Sequence, residues 1–584
     1  MQSTRQPNFA ALLGLAWLLV VLQLVAQYWT GTAHAFADTD DAMRLAQLRD
    51  WLGGQGWFDM RQPRIAGGYE THWSRLIDAG LGGTLWLLSV FAAPALAERL
   101  MFTVWPLLWL APAMAGTAAI AWRIAGREAA LIALLMAVVG LPALHQFRPG
   151  RIDHHNVQIA LSLLVLAATV WSDRVRWAAA AAGAGTGLLL GIGLEALPYL
   201  AVCAAAFAAR SVFDPKGARA ASDYGFALAA SSVAAFLATV APDRWTRILC
   251  DAFAINWLVC IVAGALGLAL AARFASDRMP VRLGCVLLVG AVAAALAVSI
   301  EPRCLGGPYT VIDPAAWPVW LAHVRENKPL ITVLVENPIT GIAIATFPAA
   351  AVAAALLLAR DSERRRDFGF LVAAAAFAMA ALTTLMAVRS ASYPTWFGMP
   401  LVAAFALQLF AALRLERLLP RAAVGVLLTP AVLSLGAVTI ANAAGIGRDD
   451  DFHRAEATTC FQNESYAALA QLPAGVVATD VNYGPFVLAL TPHAVLTAPY
   501  HRLATAIVAA HRAFAAPPDE ARALLVRARA NYVVVCGAHG PNGLTAVERE
   551  ASLWGRLHAG AAPDWLEPVL VTKAQPFSVY RVRS

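Results

Sequence analysis

Long apolar runs broken by short polar or basic interruptions dominate the chain. They recur at roughly 16 to 21 residues, close to the helix length that crosses a hydrocarbon core of about 30 Å. Thirteen stand out: 8–28, 104–122, 129–146, 157–171, 178–193, 196–210, 223–241, 253–272, 282–299, 341–358, 369–388, 397–413 and 423–441. The pattern predicts a polytopic α-helical membrane protein. Composition agrees, with 59% hydrophobic and 14% charged residues.

Orientation follows from arginine, because short cytoplasmic loops accumulate Lys and Arg. With the N-terminus inside, the inner loops carry Arg123 and Arg127; Arg174 and Arg176; Arg210, Lys216 and Arg219; Arg273, Arg278 and Arg282; Arg360, Arg364, Arg365 and Arg366; and Arg414, Arg417 and Arg421. The apolar segment Ala79 to Leu96 would invert every later loop if it spanned. It is therefore expected to lie on, or dip into, the outer face. The net charge of +7 largely reflects the inner loops, and no aromatic-basic reading surface for nucleic acid is present.

Three long stretches then lie outside: 29–103, 300–340 and everything from 442. The first two belong to a membrane domain spanning 1–441. In 442–584 charged residues return, and Gly475 to Thr479, Phe486 to Leu490 and Tyr532 to Val535 read as short strands around a helical Pro518 to Ala528, a small external α/β domain. Of seven cysteines, Cys203, Cys260 and Cys285 sit in apolar runs, whereas Cys304, Cys460 and Cys536 lie outside, where two of the three can pair.

Chemistry-bearing residues gather on the same side. Arg151-Ile152-Asp153-His154-His155-Asn156 places a carboxylate and two imidazoles between two apolar runs, a combination suited to a metal or a substrate. Asp38, Asp40 and Asp41 follow the first run; they can supply oxygen ligands to a hard divalent cation, or simply cap the helix expected from Ala42 to Trp51. Glu195 occupies a tight outer turn. Arg389, near Tyr393 and Trp396, suits an anionic headgroup or phosphate, although snorkelling to the interface is the plainer reading. Glu326, between Arg325 and Lys328, reads by itself as a solvated loop charge. No phosphate-binding glycine loop, dinucleotide pattern or Ser-His-Asp arrangement is present.

Together these pieces resemble the catalytic subunit of oligosaccharyltransferase, in its bacterial and archaeal single-subunit forms, within the GT-C class of membrane glycosyltransferases. The family's Asp six residues before an Arg is matched by Asp38 and Arg44. Its second acidic motif, Gly-Tyr-Phe-Asp-His-His in archaeal members, is matched by Gly150-Arg151-Ile152-Asp153-His154-His155. Its outer-loop Ser-Val-Ser-Glu-x-x-Pro resembles His323 to Pro329, its Arg and Tyr four residues apart resemble Arg389 and Tyr393, and its Trp-Trp-Asp-Tyr-Gly signature has a degenerate counterpart in Asp480-Val481-Asn482-Tyr483-Gly484.

The resemblance implies Mg²⁺ or Mn²⁺ on Asp38, Asp153 and His155. It implies Glu326 reaching the metal or acceptor, Arg389 and Tyr393 at a polyprenyl-linked donor's phosphate, and Asn482, Tyr483 and Gly484 at the acceptor. Loss of both signature tryptophans, and Asn482 in place of the aspartate, leaves the acceptor open between glycan and protein. The expected setting is a bacterial inner membrane, with lipids around the spans and the C-terminal domain in the periplasm. A transporter or flippase of polyprenyl-linked glycans is the alternative, although no internal repeat supports it. A metal-dependent lipid-carrier phosphatase lacks the extra basic phosphate ligands it would need.

Overall fold

The computed structural model describes residues 8–274, 276–310, 312–446, 459–536, 540–570 and 576–583. Among them, eight helices are long and apolar enough to cross a membrane, or nine if Leu418–Leu427 and Pro430–Ala443, bent by 57°, form one span. The expected runs 104–122 and 129–146 lie largely on one helical stretch, Pro94–Val138, broken only where Gly126 turns to φ 85°. The expected spans at 157, 178 and 196 are shorter helices, His155–Trp171, Ala178–Leu190 and Leu197–Phe213. Arg75–Ser89 is a 15-residue helix, and Trp86 and Phe91 at its outer tip are exposed.

Small residues let the helices approach closely. A Cβ at Gly183 would stand 2.3 Å from the Tyr224 carbonyl oxygen, and one at Gly187 would stand 2.6 Å from the Ser232 nitrogen. Ala178–Leu190 and Gly217–Thr239 therefore pack nearly backbone to backbone. At the arginine-rich end, buried Arg123 joins Asp173 at 2.5 Å and Asp367 at 3.0 Å, tying together three of the loops expected on one face.

The C-terminal part carries a five-stranded sheet in the order Ala494–Val495, Val476–Ala478, Tyr532–Cys536, Phe577–Val582, Leu566–Leu570; the first three strands are parallel and the last three antiparallel. The expected helix at 518 is present as Pro518–Arg527. The expected strand Phe486 to Leu490 is instead the end of a helix, Gly484–Leu490. Pro485 in its first turn favours a helical start, and a run of five apolar residues fits a buried strand or a buried helix equally well.

The sheet is fused to the first outer stretch. The Ala66 amide donates to the Val495 carbonyl and the Val495 amide to that of Arg64, both at 2.8 Å; Arg49 donates to the Ala489 carbonyl at 2.7 Å. Two disulfides brace this side, Cys460–Cys536 and Cys250–Cys304. The first is one of the pairings left open by the sequence, whereas Cys304 takes Cys250, in the loop before the Ile255–Arg273 helix.

Candidate active site

A cavity of about 710 Å³ opens between the ends of the helices and the sheet domain. Asp38, Asp40, His154, His155, Glu195, Glu326, Arg389 and Asn482 all line it. Residues up to 444 positions apart thus face one space.

Asp38 caps the Thr39–Leu52 helix, accepting from the Thr39 amide at 2.6 Å, and its second oxygen accepts from Arg151 at 2.9 Å. Asp41 is fully buried; it accepts from the Ile152 amide at 2.7 Å, the Asp153 amide at 3.1 Å and Arg151 at 3.2 Å. Arg151 also pairs with Asp153. The helix start and the Asp153 loop are therefore locked by one guanidinium serving three carboxylates.

The ligand atoms that converge are those of Asp40, Asp153 and His155, all within 4.8 Å of one another. Asp38, named by the motif spacing, stands beside this group and is engaged by Arg151. Burial raises the Asp40 pKa well above its ordinary value, and the neighbouring charges of Asp38, Glu326 and Asp153 raise it further. Burial also pushes Asp153 up, but Arg151 and the two histidines outweigh it and hold that carboxyl at about 2. Two carboxylates and an imidazole in a pocket with excess negative charge form a donor set that fits a divalent cation.

On the other side, Arg389 donates to Tyr309 Oη at 3.0 Å and to Glu195 at 3.2 Å. Glu195 also takes His154 Nε2 at 3.2 Å and the Gln158 amide. Burial opposes ionisation of Glu195, yet His154 and Arg389 hold its pKa well below the usual value. Burial raises the pKa of Glu326, with Asp38 and Asp153 adding to it.

Besides Asp41 and Asp153, four further sequence candidates lie behind the wall. Tyr393 is buried against Tyr199 at 4.4 Å between ring centroids. Arg44, fully buried, pairs with Asp78 at 3.0 Å and lies over Trp73 at 4.3 Å. Tyr483 packs on Phe577, and a Cβ at Gly484 would meet the Thr497 carbonyl at 2.2 Å, so both serve packing. Of the signature, Asp480 and Asn482 face the cavity, with Asn482 Nδ2 donating to Asp480 at 3.0 Å. His72, Tyr309, Tyr500 and His501 also line the cavity and were not singled out by motif; the Tyr-His pair at 500–501, after a predicted strand region, was the available signal.

No family model and no curated protein matches the chain. Solved structures do. The archaeal oligosaccharyltransferase AglB from Archaeoglobus fulgidus, in complex with an inhibitory peptide and a dolichol-phosphate, aligns over 90% of this chain and 69% of its own with TM-score 0.66 and 15% identity. The apo form of the Archaeoglobus fulgidus oligosaccharyltransferase aligns over 97% and 74% with TM-score 0.68 and 15% identity. A complex of the latter with Zn and sulfate gives TM-score 0.61 at 15% identity over 98% and 73%. The chain therefore has the GT-C membrane glycosyltransferase fold, in a multi-pass membrane protein with a small C-terminal sheet domain.

Proposed function

We propose that the protein is a metal-dependent glycosyltransferase that moves a sugar or oligosaccharide from a polyprenyl phosphate or diphosphate to an acceptor on the outer face of a bacterial inner membrane. The observation that carries this reading is the convergence of the buried Asp153 with Asp40 and His155 at the wall of the cavity that Arg389 and Glu326 also line. Asp40, Asp153 and His155, with Asp38 beside them, would hold Mg²⁺ or Mn²⁺, which when bound neutralises charge developing on a leaving phosphate.

The side chains supply the rest. Arg389, fixed by Glu195 and Tyr309, presents donors to the carrier phosphate. Glu326, whose pKa is raised by burial, is suited to take the acceptor's proton as the acceptor oxygen bonds the anomeric carbon and the bond from that carbon to phosphate oxygen breaks. Attack opposite the departing phosphate inverts the anomeric centre.

The test uses purified protein with a polyprenyl-phosphate-linked sugar and candidate acceptors, with free carrier as the readout. Chelation should abolish transfer, added Mg²⁺ or Mn²⁺ should restore it, and Asp40→Asn and Asp153→Asn should each lower it on the order of 100-fold while the protein stays folded. Full activity of both variants would defeat the assignment. Movement of the donor across vesicles without release of carrier would favour a flippase.

A further inference from the structure

Away from the Asp153 loop, three side chains from distant parts of the chain meet. His72 comes from the first outer stretch, Asp251 from the loop after Gly217–Thr239, and His501 from the C-terminal domain; each offers a ligand atom, all within 4.8 Å of one another. Asp251 accepts from His501 Nε2 at 2.6 Å and from Arg502 at 2.6 and 3.0 Å. The two imidazoles lie 4.6 Å apart between centroids, tilted by 57°. His72 Nδ1 is buried with no hydrogen-bond partner.

An ion pair alone explains Asp251, His501 and Arg502. It does not explain why a second imidazole is brought against them with a nitrogen left unanswered, since an unsatisfied buried group costs about 1–3 kcal/mol. We propose that His72, Asp251 and His501 form a second metal site, selective for Zn²⁺ and distinct from the carboxylate-rich set around Asp153.

Two imidazoles and one carboxylate are a donor set that zinc takes readily, leaving a fourth position for water. Tetrahedral bonds of about 2.0–2.2 Å place ligand atoms about 3.3–3.5 Å apart, so the His501–Asp251 pair, now 2.6 Å apart, opens slightly as the ion enters between it and His72. The proton between His501 Nε2 and Asp251 leaves as the ion enters. Arg502 then becomes the outer partner that orients Asp251, as hydrogen-bonded carboxylates at metal sites generally are. His72 and His501 both line the cavity, and the loop bearing Asp251 is anchored next door by Cys250–Cys304. Zinc here clasps the first outer stretch, this loop and the C-terminal domain into one wall. The site does not depend on the transferase reading.

The experiment uses full-length protein in detergent, stripped by a chelator and equilibrated with micromolar Zn²⁺. Bound zinc is measured by elemental analysis and thermal unfolding is followed alongside. Asp153→Asn removes the other candidate set from the count. That variant should bind one equivalent of zinc and gain thermal stability from it; adding His72→Ala should remove both effects. If the double variant does not fold, single His72→Ala should bind one equivalent fewer than wild type. An Asp153→Asn protein without zinc, or zinc retained in full after His72→Ala, overturns the proposal, whether or not sugar transfer is ever observed.

Discussion

Arg389 spreads its guanidinium between two fixed acceptors, Tyr309 and Glu195, and keeps about a quarter of its side chain exposed to the cavity. A lysine cannot reproduce that fork. Arg389→Lys should therefore raise the KM for a phosphate-linked donor by about tenfold, equivalent to roughly 1.4 kcal/mol, with unfolding unchanged; a donor titration checks it. Glu195 gives a pH test. Its folded pKa is depressed below the ordinary 4.5, so its stabilising contribution is present above that value and is lost as pH falls through the folded one. Glu195→Gln should cost about 1–3 kcal/mol near neutral pH, with the gap to wild type closing below pH 4.5 in denaturation curves. Residues close in sequence could be read directly: Asp153, His154 and His155 share one loop, and their chemistry was legible in it. Asp40 was less so, because the helix turn that aims it, rather than Asp38, at Asp153 depends on the cap geometry. The cluster of His72, Asp251 and His501 was illegible, since no local spacing connects side chains that far apart.

Among the helices, glycine marks where backbones touch. Gly183→Leu would drive a side chain into the Tyr224–Leu228 backbone and should destabilise the protein by about 1–3 kcal/mol. Gly14→Leu, with nothing within 4 Å of its Cβ position, should leave the thermal transition in detergent unchanged. Apolar run length located most helices, because hydropathy follows burial in lipid or protein alike. It also separated the helices on either side of Gly126, whose break is one positive-φ residue, and located helices at 155, 178 and 197 that are shorter than a full span. In the sheet domain, Val476–Ala478 and Tyr532–Cys536 were legible from β-branched runs, while Gly484–Leu490 was lost to the ambiguity of a short apolar stretch.

At the scale of the molecule, the end of the cavity proposed for the acceptor is built by the sheet domain, where Asp480 and Asn482 stand without the tryptophan pair of the oligosaccharyltransferase signature. A site lacking those partners has little with which to read a sequon hydroxyl. With a matched lipid-linked donor, transfer to a glycan acceptor should exceed transfer to an Asn-x-Ser/Thr peptide by at least about tenfold; Ser/Thr-dependent transfer to the peptide at equal efficiency would reverse this. The cavity wall runs from Asp38 to Trp554, and the first outer stretch pairs with Val495. A ribosome that has delivered every helix has still not delivered a usable pocket. On the proposed reading the protein therefore stays inert throughout its own synthesis, and a chain truncated before the sheet domain carries only half of the cavity.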